Sequence, residues 1–353
     1  MSSVTNPTRM RLASAAAALL VPLAPLLAWP ATAHATTDGA DAVVATIPAG
    51  PYPHSIAIAP DGRRAYVSNE VAGTVSVIDT VSRAITDTID VGGKPRDVAV
   101  SPDGDRVYVA DFASARVSVI DATTDTLATP IPVTAPGAAV AISSDGSHVY
   151  VTDATANTLS VVDTESGQIT ATVPVDREPR DVTISPDGTT AYVVHEASGT
   201  LLAIDTTTYA RKASVFLSTR PQAVVVTRDG THAYTANNPG NSVSAIDLTT
   251  NRLAATITGG YGRTGIAVTP DGAHVYVTNL VDNTVSVIDT RTNRLLGDIP
   301  VGDWPNDIAI TPDGAYVYVT NQYSNTVSIL TTDVVPERTP PGSRALLGPL
   351  FGS

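Results

Sequence analysis

Tyr276-Val277-Thr278-Asn279, followed by Asn283-Thr284-Val285-Ser286-Val287-Ile288-Asp289-Thr290, decides the fold, because 42 residues later the chain repeats it as Tyr318-Val319-Thr320-Asn321 and Asn325-Thr326-Val327-Ser328-Ile329-Leu330. The same step runs back through the whole sequence. Asp-Gly pairs begin at Asp61, Asp103, Asp145, Asp187, Asp229, Asp271 and Asp313, each 42 residues from the last with no insertion between them. A tyrosine keeps the register at Tyr66, Tyr108, Tyr150, Tyr192, Tyr234, Tyr276 and Tyr318. An aspartate does so at Asp79, Asp121, Asp163, Asp205, Asp247 and Asp289, with Thr331 in the seventh place. A fixed period of this length marks a repeat architecture, whose units bury their apolar faces only against one another.

Within a unit the pattern predicts four short strands. Asp307-Ile308-Ala309-Ile310 reads as the first, Pro312-Asp313-Gly314 as its turn, Val317-Tyr318-Val319-Thr320 as the second and Val327-Ser328-Ile329-Leu330 as the third. The fourth lies between units, as in Ala255-Thr256-Ile257 or Gly297-Asp298-Ile299-Pro300-Val301. Proline presets φ for the turn, and glycine takes the positive φ that reverses the chain. Val, Ile and Thr are stiff and suit a pleated surface. Seven units of four antiparallel strands predict an all-β, seven-bladed β-propeller. Ala57, Ala99, Ala141, Ala267 and Ala309 fall in first strands, where blades converge on the axis and large side chains would collide.

Ring closure is also legible. Residues 43–47 match a fourth strand but precede the first complete unit, and the last unit stops after its third strand near Leu330. The N-terminal strand is therefore predicted to complete the last blade, hiding two sheet edges that invite aggregation. A solenoid would require distinct capping repeats, and the sequence shows none. The propeller is assigned to residues 43–331, after a short linker at 36–42. Residues 332–353, with Pro336, Pro340, Pro341 and Gly342, are predicted to be a disordered tail, in which Leu346-Leu347 and Leu350-Phe351 offer a docking segment.

Residues 1–35 have a different character. Arg9 and Arg11 precede an apolar run from Leu12 to Leu27, and Ala33-His34-Ala35 supplies a small-x-small cleavage site, the layout of a secretory signal peptide. The run is broken by Pro22 and Pro25 and is shorter than the ~20 residues of a membrane span. The expectation is a secreted, extracellular or cell-envelope protein without a transmembrane anchor in the mature chain. No cysteine follows the run to carry a lipid, and Met10 separates the two arginines of a paired-arginine signal.

Without that segment the chain has 19 basic and 34 acidic residues, a net charge of −15. An acidic exterior repels phosphate backbones, which argues against nucleic acid as a partner. The absence of cysteine excludes disulfides, thiolate metal sites and a cysteine nucleophile. Nothing in the pattern asks for more than a monomer.

The quoted strings resemble the signature of the YVTN β-propeller family, and the resemblance covers residues 43–331. Other copies are degenerate, such as Tyr66-Val67-Ser68-Asn69, Tyr108-Val109-Ala110-Asp111 and Tyr192-Val193-Val194-His195. The resemblance implies an exported or cell-surface propeller. Some relatives are similar to lactonases of the phosphogluconolactonase type, and others accompany periplasmic redox enzymes. The signature residues are scaffold, so no catalytic residue carries over from them.

Chemistry is expected on the face opposite the Asp-Gly turns, because there the repeats diverge. The loop into each first strand reads His54, Arg96, Ala138, Arg180, Gln222, Thr264 and Asn306 at one position, and Ser55, Asp97, Ala139, Asp181, Ala223, Gly265 and Asp307 at the next. Arg96-Asp97 and Arg180-Asp181 are expected to place ion pairs about the axis. Asp97, Asp181 and Asp307 are candidate ligands for a Ca²⁺ or Mg²⁺ ion in the central channel, although capping of backbone N–H groups is the competing reading. No other cofactor is required. The loop after each second strand carries Asn or Asp except at His195-Glu196, so His54 and His195 are the candidate bases outside the repeat pattern. Trp304, in Gly302-Asp303-Trp304-Pro305, is a candidate aromatic contact for a saccharide or peptide, with Tyr52 and Tyr261 in equivalent loops. His148, His232 and His274 share one repeat position beside the turns and read as structural.

No nucleophile elbow, phosphate loop or zinc-spaced histidine pair occurs. The expectation is a non-catalytic module binding a protein, small molecule or saccharide through this face. A lactonase-like hydrolase with a metal-assisted site and an accessory to a redox enzyme are the alternatives.

Overall fold

The computed structural model describes residues 42–333. The predicted signal segment, the linker up to residue 41 and the tail from residue 334 lie outside the described residues. Every regular element among those described is a β-strand, and the strands form seven antiparallel sheets, the blades. Among the described residues no helix is long and apolar enough to cross a membrane.

Blade 1 shows the plan: Pro53–Ile58 is innermost, followed outward by Arg64–Asn69, Thr74–Asp79 and Ala84–Asp90. The first turn forms because Asp61 accepts the N–H of Arg63 at 2.9 Å, while Gly62 takes φ +73°. At the end of the third strand Asp79 accepts the Ser82 N–H at 2.6 Å, so the recurring aspartate folds its own turn. Thr80 then donates to the Gly62 carbonyl at 2.6 Å, and Thr206, Thr290 and Thr332 do the same in their blades. The face carrying the Asp-Gly turns is therefore stitched by the repeat consensus itself.

The ring closes as the sequence predicts. Val43–Pro48 is the outermost strand of blade 7, pairing antiparallel with Thr326–Thr331 beside Tyr316–Asn321 and Pro305–Ile310. Ile47 is buried in a cluster that joins Tyr318, Val327 and Ile329 of blade 7 to Ile56, Val67 and Ile78 of blade 1. Every core cluster has this character, lying between two blades rather than inside one. Tyr66, Val75 and Val77 of blade 1 meet Val98, Val107 and Val109 of blade 2, for example. The core is a set of interblade layers, which is why no single repeat can fold alone.

One blade departs from strict repetition. The outer strand of blade 2 is split into Thr126–Leu127 and Ile131–Pro132, both paired with Arg116–Asp121. Pro130 lies in the gap and has no N–H to give the ladder.

Candidate functional site

The innermost strands position the site through a local irregularity. In most blades the ladder slips one residue or two after the opening residue, as between Pro95 and Asp97, Pro179 and Asp181, and Pro305 and Ile308. In a regular strand, neighbouring side chains face opposite ways. A bulge re-aims them, and here both residues of each pair, His54 and Ser55 through Asn306 and Asp307, line one cavity of about 170 Å³ at the channel mouth. His54, Arg96, Asp97, Arg180, Asp181 and Asp307 are thus brought together. Trp304 lies outside the cavity, two residues before Asn306, and His195 is not part of it.

The arginine-aspartate pairs do not form ion pairs, contrary to expectation. Among the described residues, no carboxylate comes within ion-pair distance of Arg96. Its guanidinium instead lies 4.4 Å from the Phe112 ring centre. Arg180 grips Glu196, which also holds Arg220. The aspartates turn away from the arginines because backbone amides of the next blade claim them. Asp97 accepts Val140 N–H at 2.7 Å, Asp181 accepts Val224 N–H at 2.8 Å, and Asp307 accepts Ile56 N–H at 3.0 Å. Each carboxylate ties its innermost strand to the neighbour ahead, where the equivalent residue is small: Ala139, Ala223 or Ser55. Among the described residues, no three His, Asp or Glu side chains stand close enough to hold a metal ion.

Electrostatics at the mouth follow from burial. Burial, then the like charge of Asp307, pushes Asp97 up to about 6, and burial, then Asp97, raises Asp181 well above the carboxylate range. His54 is held down to about 3 by burial and by Arg96, so its imidazole is neutral near pH 7, with Nε2 4.0 Å from Glu70. Burial and the facing Arg180 lower Arg96.

His195 is fully buried within blade 4, its Nδ1 3.3 Å from Thr200 Oγ1 and its Nε2 without a partner among the described residues. It occupies the place where Asn69, Asn279 and Asn321 each bond two hydroxyls five and seven residues on, as Asn321 does to Thr326 at 3.0 Å and Ser328 at 2.9 Å. The second hydroxyl is replaced by Leu202 in this repeat, so imidazole and leucine change together. That paired change is the sequence signal that His195 is structural. Asn321→Ala should orphan both hydroxyls and cost about 1–3 kcal/mol in denaturant unfolding. A loss near zero would contradict that bonding role.

Beside the mouth, Trp304 stacks on Tyr323 with ring centres 4.0 Å apart, and Tyr52 tilts against Tyr323 at 6.1 Å. Trp304 and Tyr52 hold the same loop position in adjacent blades, both at positive φ, their backbone N–H groups donating to the side-chain oxygens of Asn283 and Asn325 respectively. Tyr261, the third expected aromatic, is exposed and joins no stacked pair among the described residues. Tyr323 and Phe112 were invisible to a reading by first-strand loops. Aligning the residue after each repeat asparagine (Glu70, Phe112, Ala154, Glu196, Asn238, Leu280, Gln322) would have found the acids and Phe112, and the next residue gives Tyr323. Arg263 is a further departure: it is fully buried where five blades have proline, and it donates to the Gly259 carbonyl.

No curated protein matches the sequence. Among solved structures, one described as Kuenenia stuttgartiensis Hydrazine Synthase is similar at 23% identity and a TM-score of 0.74, covering 87% of this chain and 99% of that one. This likeness is one of fold. A family model described as Lactonase, 7-bladed beta-propeller, matches residues 33–129, 121–226 and 221–336. With matches over most of its length, the chain belongs to the lactonase, seven-bladed β-propeller family.

Proposed function

We propose that this chain is an exported propeller of the YVTN type that binds a small ligand carrying an anionic group at the channel mouth. The observation that carries the reading is the Arg96 guanidinium, without a carboxylate partner among the described residues, on one 170 Å³ cavity that Arg180, held by Glu196, also lines and whose Asp97, Asp181 and Asp307 are engaged by backbone amides. That space is below the ~300–1,000 Å³ of drug-sized sites, so it suits a small head group, with the rest of the ligand over Trp304, Tyr323 and Tyr52. Held down to about 3, His54 is too weak a base to take up a proton near pH 7, which favours binding over catalysis. The basic start, apolar run and Ala33-His34-Ala35 support export. N-terminal sequencing of protein from the medium tests it: a start at residue 36 supports export, and an intact Met1 counts against it.

Binding is tested by fluorescence of a chain beginning at residue 36, in which Trp304 is the remaining tryptophan. Titration with small carboxylates, inorganic phosphate and simple sugars should give a saturable change with an anionic ligand. Arg96→Met should weaken it at least about tenfold, the loss of one charge-assisted bond. An undiminished affinity in that variant would remove Arg96 from the site.

Membership of the lactonase family favours a second reading, opening of a lactone ring at the same mouth. The guanidiniums would then face the developing oxyanion, and a water would need Asp97, Asp181 or Asp307 as its base. The same titration, assayed for hydroxy-acid product with and without added Ca²⁺ or Mg²⁺, separates the readings. Turnover that Asp97→Asn abolishes in a folded protein would replace the binding module by the hydrolase.

A further inference from the structure

The Ser55 hydroxyl lies 2.7 Å from Asp97 Oδ1 and 2.8 Å from Asp307 Oδ2. A hydroxyl has one hydrogen to donate, so it can serve only one of these oxygens and meets the other with a lone pair. Against two ionised carboxylates, the second contact would press two unshared oxygens together at hydrogen-bonding distance. A proton on one carboxyl removes the conflict. The acid donates to Ser55 Oγ, and Ser55 donates to the remaining carboxylate. We propose that Asp97, Ser55 and Asp307 hold one resident proton between them, clamping blades 2, 1 and 7 together at the junction of the first and last repeats, and that loss of this proton loosens the junction.

The place in the fold gives the proton its consequence. Asp307 belongs to the innermost strand of blade 7, Ser55 to that of blade 1 and Asp97 to that of blade 2. The chain of bonds therefore crosses both interfaces of blade 1, one of which joins the two ends of the repeat array. The other donors to these acids are backbone amides, Val140 and Val98 on Asp97 and Ile56 on Asp307. None of them can supply the missing proton.

The charged groups around the pair leave its proton in place. Asp181 faces it from blade 4, itself raised well above its ordinary value by burial, Asp97 and Asp307, and His54 on the blade 1 strand is neutral. Arg96 stacks on Phe112, with Glu70 nearby, and Arg180 is engaged by Glu196, which also holds Arg220. No arginine makes an ion pair with Asp97 or Asp307 among the described residues. Burial and mutual repulsion raise Asp97, and burial raises Asp307, in the direction the geometry requires.

A carboxyl whose folded-state value is raised stabilises the fold while protonated. That contribution is complete below the ordinary carboxylate range and is lost as pH rises through about 6, the value for Asp97. Both acids line the mouth, so the measurement is made without added Ca²⁺, Mg²⁺ or anionic ligand.

The test is infrared spectroscopy and thermal melting of the full chain between about pH 5 and about pH 8. A protonated-carboxyl band should be present at the acid end and decline across the interval. Asp97→Asn and Asp307→Asn should each weaken it by the same amount, because one proton serves both residues. The melting temperature should fall over the interval more in the wild type than in either variant. A band untouched by both substitutions, or equal pH slopes in all three proteins, overturns the proposal. Should the aspartate variants fail to fold, Ser55→Ala decides. Removing the bridge should move the band's midpoint to lower pH, and an unmoved midpoint overturns the shared proton.

Discussion

A chain that begins at residue 49 should fail to form a stable monomer, while one that begins at residue 36 should fold. The difference is the strand Val43–Pro48, which contributes neither to the mouth nor to any turn of the repeat. It supplies the fourth strand of blade 7, in register from Val43 opposite Leu330 to Pro48 opposite Thr326. Losing it removes a row of ladder bonds worth about 1 kcal/mol each. Losing Ile47, which is 4% exposed, adds about 2–5 kcal/mol by analogy with Ile→Ala in a core. Together these approach the whole ~5–15 kcal/mol stability of a typical domain. The strand Thr326–Thr331 would then present a bare apolar edge, which pairs readily with other chains. Size-exclusion chromatography and thermal melting of the two chains check this, and a monomeric shorter chain melting within a few degrees of the longer one would refute it. A synthetic peptide of residues 42–48 should recover part of the loss by adding back as a strand.

Gly265→Ala should also be costly, although alanine is what two other repeats carry at this position, Ala139 and Ala223. A Cβ on Gly265 would lie 2.6 Å from the Asn306 carbonyl oxygen and 2.7 Å from Asp307 Cα. Both are backbone atoms, so no side-chain rotation relieves the clash, and the innermost strands of blades 6 and 7 must separate. The close approach is fastened by Thr264 and Thr278, whose hydroxyls donate to that same carbonyl at 2.8 and 3.0 Å. Overpacking of this kind costs about 1–3 kcal/mol, and it displaces Asp307 from Ser55. Ala223→Gly, the reverse exchange one blade away, should cost only about 0.5–1 kcal/mol, the price of backbone freedom. Denaturant midpoints for the two variants decide the matter, and equal losses would show that the crowding at Gly265 relaxes freely.

The period of 42 residues, the Asp-Gly turns and the orphan fourth strand at residues 43–47 are local signals, each readable from a few neighbouring residues. The number of blades, their strand order and the closing strand follow from them, because turn chemistry and β-branched patterning act over short range. The candidate residues were legible as a list for the same reason: they are the positions at which the repeats differ. Their relationships were not. Arg96 and Asp97 are adjacent in sequence, and adjacency suggested an ion pair. The carboxylate instead reaches Val140 on the next blade, and the guanidinium reaches Phe112. His195 reads as a free base until burial places it beside Thr200.

The sequence by itself determined the ring, its seven blades and its closure, since each repeat writes out its own turns and strands. Only the tertiary structure decided which side chains share the mouth, which carboxylates are spent on amides, and why position 265 admits no side chain. Those outcomes depend on bulges that re-aim consecutive residues and on contacts between strands about 42 or more than 250 residues apart, such as Ser55 with Asp97 and with Asp307. No short stretch of sequence contains both partners.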